Sequence, residues 1–158
     1  MLGCINSVNP MFRAAISDKD IDNFEHAKQH FSDCYLMTTL ETLSHTPNGR
    51  KVLKEQIQYD DNNPKLLNCY LYKENGEKEK YTVPTNAVVK GYEKLYRLQP
   101  NEIIRSMDVS VAEYENKYKS KPWICRVTDT FKSYSFENNL PSHFMKVFTG
   151  IEPRIIAE

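Results

Sequence analysis

The chain has no excess of either charge: 21 Lys and Arg stand against 21 Asp and Glu across 158 residues. It therefore lacks the basic footprint that would mark a partner such as nucleic acid or an anionic membrane surface. No apolar run approaches the roughly 18–20 residues that span a bilayer. The opening stretch, MLGCINSVNPMF, has neither a basic leader nor a sustained apolar core, so no secretory signal is expected. Cysteine is sparse, and Cys4, Cys34, Cys69 and Cys125 include no CxxC pair. Reduced thiols are expected, in the cytoplasm or in a protein exported without a cleavable signal. Internal repeats and low-complexity tracts are missing too. What remains is one domain, long enough to bury a proper core.

Read along its length, the chain alternates helix signals with one hairpin. Residues 1–16 are expected to form a loose, flexible arm, and residues 17–158 the folded unit. From Ser17, SDKDIDNFEHAKQHF opens with a capping residue and acidic side chains, and Ile21, Phe24, Ala27 and Phe31 recur at helical spacing. Ser32 and Asp33 break that pattern and suit the cap of a second helix over about 34–45, apolar on nearly every face. Pro47 and Gly49 are read as its end, with a short helix over 49–57 after it. LLNCYLYKENGEKEKYTVPT is the clearest β signal, with alternation on both sides of an Asn75-Gly76 turn. Helices are expected over 86–98, more weakly over 108–118, from Pro122, and over LPSHFMKVFTG with Ser142 as cap and Gly150 as stop. The class is α+β, mainly helical, with a central buried helix starting at Cys34 beside a small hairpin.

Cys34 is the residue with chemistry to weigh. At a helix N-terminus the positive end of the helix dipole favours the thiolate, which is the nucleophilic form. A small apolar side chain filling a core explains the same residue without chemistry. Other constellations offer less. His26, His30 and Cys34 fall at i, i+4, i+8, a metal-ligand stripe only if one helix runs through the Ser32-Asp33 break. YDDNNP (59–64) carries acidic oxygens without the spacing of an EF-hand, and reads as a polar turn into the hairpin. The Tyr92, Tyr96 and Tyr114, Tyr118 pairs read as helix packing.

Three segments in order resemble the calpain-type cysteine proteases, which share the papain-like fold. SDCYLMTTLETLS is similar to their nucleophile segment, where Gly-Asp-Cys-aromatic-Leu precedes a core helix of small residues. LLNCYLYKENGEKEKYTVPTNAV resembles the hairpin that comes after it. PWICRVTDTFKSYSFENNLPSHFMKVFTGIEP resembles the later stretch, with Trp123 opening a helix and Phe148-Thr149-Gly150 closing another. Together they span about residues 28–153. Two positions depart from the pattern. Lys28 stands where the family has an oxyanion-hole Gln, with Gln29 one residue closer to the cysteine, and Ser32 replaces the usual Gly.

The resemblance implies a cysteine peptidase, here as its N-terminal, papain-like left subdomain. Cys34 would be the nucleophile and Gln29 the oxyanion-hole candidate. A His base and its Asn or Asp partner come in that family from a second, mostly β half, expected outside residues 1–158, so this chain alone is expected to be inactive. His143 is the downstream candidate within the chain, although the resemblance assigns its helix to a non-catalytic part. No cofactor or bound metal is expected, and calcium enters only by resemblance. The implied partners are a protein substrate and the His-bearing half, with neither nucleic acid nor membrane. Two other readings stay open: a catalytically inactive interaction module, and a Cys-dependent deamidase or acyltransferase effector on the same scaffold.

Overall fold

A computed structural model describes residues 15–26, 34–89, 94, 101–118 and 141–152; Glu25, His26, Cys34 and residues 141–143 are placed by their backbone alone. Helix α1 (Asp18–Asp22) starts as the sequence predicts. Ser17 accepts from the Asp20 amide, and the Asp20 carboxylate accepts from the Ser17 amide, which closes a capping box. The helix is shorter than the spacing predicts, because Asn23–His26 tightens into a 3-10 turn. Ile21 and Phe24 are nonetheless buried. Of the expected arm, Ala15 forms a bridge with Gln58 and Ile16 is buried in the core.

Helix α2 spans Cys34–Ser44 and helix α3 Pro47–Gln56. Pro47 and Gly49 therefore lie in the first turn of α3, not in the gap that the sequence suggested. Thr46 caps that turn by accepting from the Gly49 amide at 2.9 Å, and Pro is well placed there because its missing N–H would have no helical partner. Gly49 has a steric reason: a Cβ built on it would stand 2.1 Å from the Leu43 carbonyl oxygen. Arg50 then ties α3 to α1 through Asp18 and Asp22.

At Ile57 the backbone turns extended and α3 runs directly into strand β1 (Ile57–Tyr59), an element the periodicity did not reveal. Strands β2 (Leu66–Tyr72) and β3 (Lys78–Pro84) form the expected hairpin. The three make an antiparallel sheet in the order β1-β2-β3, with Cys69 opposite Ile57 on one side and Tyr81 on the other. Gly76 adopts φ +86 in the Asn75-Gly76 turn, where a Cβ would be strained.

The helix expected over 86–98 is not seen at 86–89, which form a turn and irregular backbone; most of its remainder, with Tyr92 and Tyr96, lies outside the described residues. So does the helix expected from Pro122. Helix α4 (Glu102–Tyr118) is longer than predicted, because the Asn101 side chain accepts from the Ile103 and Ile104 amides and starts it earlier. Helix α5 (Pro141–Thr149) begins one residue before the Ser142 cap that the sequence suggested, and Gly150 stops it with φ +75. The core joins Tyr35, Leu36 and Leu40 of α2, Leu53 of α3, Met107 and Val111 of α4, and Phe144 and Phe148 of α5. The result is a mainly helical α+β fold around a three-stranded sheet. Among the described residues no helix is long and apolar enough to cross a membrane.

Candidate functional site

Cys34 is the first described residue of α2, and the residues after it explain why this part of the helix is held in place. Tyr35 and Leu36 are fully buried, and the Tyr35 ring meets Phe144 edge-on at 5.5 Å and 71°. Phe144 in turn stacks on Phe148 at 5.7 Å. Thr39 donates its hydroxyl to the Tyr35 carbonyl at 2.8 Å, and Leu40 is buried one turn further on. The described first turn of α2 contains no carboxylate, and Asp33 directly precedes it in sequence.

Lys28, Gln29 and His30 lie outside the described residues. His143 sits in α5, the helix whose Phe144 packs on Tyr35, so each candidate residue directly precedes one member of a touching aromatic pair. His26 closes a 3-10 turn, so the α-helical spacing needed for a His26, His30, Cys34 stripe does not extend to it. In YDDNNP, Asp60 accepts from the Asn62 amide and the Asn68 side chain, and Asn63 accepts from the Lys65 amide. These are the local bonds of a polar turn. No group of metal-ligating side chains assembles among the described residues.

The one thiol described in full contrasts with the nucleophile requirement. Cys69 is wholly buried on β2, and burial pushes its thiol up to about 12, with the Ser110 hydroxyl offsetting only part of that. A group so shifted stays protonated and inert at neutral pH.

No family model, curated protein or solved structure matches the chain.

The sequence gives no sign of a concave feature elsewhere in the fold. The β2–β3 turn and the last turns of α4 and α5 enclose a cleft of about 510 Å³. Tyr72, Tyr114 and Tyr118 supply its aromatic walls, with Glu74 and Glu115 among the polar ones. The Tyr114 hydroxyl donates to the Tyr72 carbonyl at 2.8 Å, and the Tyr114 and Tyr118 rings are tilted together at 5.0 Å. That i, i+4 pair packs as the sequence suggested. What the sequence could not show was that Tyr72, from the hairpin, completes the wall.

Proposed function

We propose that the chain is the nucleophile-bearing subdomain of a papain-like, calpain-type cysteine peptidase acting on protein substrates, with Cys34 as the attacking thiol. The carrying observation is that Cys34 lies in α2 directly before the buried Tyr35 and Leu36, a placement that supports the segment resemblance. The Asn75-Gly76 hairpin and the α5 stop at Phe148-Thr149-Gly150 come in the same order along the chain. A thiol at the start of α2 would meet the positive end of the helix dipole, which favours the thiolate, with the Asp33 charge next to it opposing that effect.

In the proposed reaction the Cys34 thiolate adds to the substrate amide carbon, forming a C–S bond. The resulting oxyanion is held by backbone N–H groups at the helix start, with Gln29 as the candidate side-chain donor. The C–N bond then breaks as an imidazolium gives its proton to the departing amine, and water hydrolyses the thioester to regenerate the thiol. The imidazole and its orienting Asn or Asp come from outside these residues in this reading. A second assignment is favoured by one contact: Phe144 meets Tyr35, which makes His143 the histidine on the helix packed against the nucleophile's own.

Iodoacetamide labelling tests the reading. Cys34 should react at neutral pH at least about tenfold faster than a model thiol. Reactivity equal to that of the model thiol would sink the peptidase reading and favour a non-catalytic interaction module. A His143→Ala variant assigns the base. If the pH profile of labelling loses an inflection near about 6.5, His143 is the partner; an unchanged profile places the base elsewhere.

A further inference from the structure

We propose that the cleft between the β2–β3 turn and the C-terminal ends of α4 and α5 binds a compact organic cation: an alkylammonium or guanidinium carried on an apolar stem. The inference does not rest on Cys34 and stands or falls apart from it. At about 510 Å³ the cleft is within the size range of small-molecule sites. Its walls combine the aromatic faces of Tyr72, Tyr114 and Tyr118 with the carboxylate of Glu74 at the exposed turn. Aromatic faces with nearby carboxylate suit a weakly hydrated cation, because the ring quadrupole attracts charge without demanding a hydrogen bond.

Two of these rings already carry a lysine of the protein, and Glu79 holds both Lys117 and the Tyr118 hydroxyl. Lys78 Nζ lies 5.4 Å from the centroid of the Tyr72 ring, and Lys117 Nζ lies 5.2 Å from that of Tyr118. The two lysines that line the cleft do not make it an anion site. Lys73 is paired with Glu77 at 2.7 Å and Lys146 with Glu152 at 2.6 Å. Helix α5 reaches the cleft with its carbonyl end, whose partial negative charge also favours a cation.

The test is an NMR titration of the whole chain, following the tyrosine ring signals. Choline is compared with its carbon isostere, in which tert-butyl replaces trimethylammonium, and butylguanidinium with butylurea. Each cation should bind at least about fivefold more tightly than its neutral counterpart. Tyr118→Ala should weaken cation binding by about fivefold, whereas Tyr118→Phe, which keeps the ring, should stay within about twofold. Glu74→Gln, at an exposed turn position, should weaken the cations and leave the neutral isosteres unchanged. A free amine and a basic peptide side chain share this chemistry. A blocked Gly-Arg-Gly peptide that binds more tightly than butylguanidinium assigns the cation to a peptide, and the reverse order assigns it to a free amine. Equal binding of cations and isosteres overturns the proposal. So does silence of the tyrosine signals up to about 10 mM ligand, or a larger response to inorganic phosphate than to either cation.

Discussion

Gln56 shows how much one side chain can connect. It is buried at the end of α3, and its amide donates to the Tyr70 carbonyl at 3.0 Å and to the Phe148 carbonyl at 2.8 Å. One residue thus joins α3, β2 and the end of α5. Gln56→Ala strands two carbonyls, and urea unfolding should show a loss of about 2 kcal/mol. Cys69 offers a second single-residue prediction. With its thiol pushed up to about 12, alkylation in the folded chain at pH 8 should be at least about a hundredfold slower than for a model thiol. Mass spectrometry of the labelled chain checks this, and full reactivity should return in denaturant. At this scale the sequence was informative about type and silent about partners. Cys69 alternates correctly in its strand, but nothing in LLNCYLY says that Ser110 lies beside it. Gln56 reads as a helix-surface amide until residue 148 is placed next to it.

Elements were legible where local chemistry decides them. The Ser17 capping box and the Asn75-Gly76 turn are dictated by neighbours in sequence. Elements set by tertiary packing were not. Strand β1 is three residues that extend only because β2 pairs with them. Helix α4 was under-read because Ser106, Asp108, Ser110 and Glu115 are all buried, which erases the polar stripe that periodicity needs. Gly49 shows the same tension with a measurable sign. In an open helix Gly→Ala stabilises by about 0.5–1 kcal/mol. In α3 the new Cβ would meet the Leu43 carbonyl at 2.1 Å, backbone that cannot step aside. Gly49→Ala should therefore destabilise by about 2 kcal/mol or more, read from the thermal midpoint. A neutral or stabilising result would mean that the α2–α3 junction relaxes.

Across the whole molecule, buried neutral acids set the alkaline limit. Burial raises Cys69 to about 12 and Tyr114 to about 12, and Tyr81 is raised as well. In each case the unfolded chain loses its proton first as pH rises. Their contribution to stability is therefore full below the unfolded pKa values and fades as pH climbs toward the folded ones. Stability should fall between about pH 9 and 12, and Cys69→Ala should flatten the early part of that decline in denaturant titrations at stepped pH. The candidate site is legible at this scale only in part. The order of three segments pointed to Cys34, whereas the tyrosine cleft depends on Tyr72 meeting Tyr114 across 42 residues of chain.

The packing of α5 on α2 also has a consequence for how the chain is made. Phe144, which meets Tyr35, Phe148 stacked on it, and the Phe148 carbonyl, held by Gln56 across 92 residues, are all synthesised long after α2. On the ribosome, α2 must wait for α5 before its apolar face is covered. A nascent chain halted before Pro141 would hold the α2 segment with Leu36 and Leu40 unprotected. Such arrested chains should be protease-sensitive and bound by chaperones until residues 141–149 emerge.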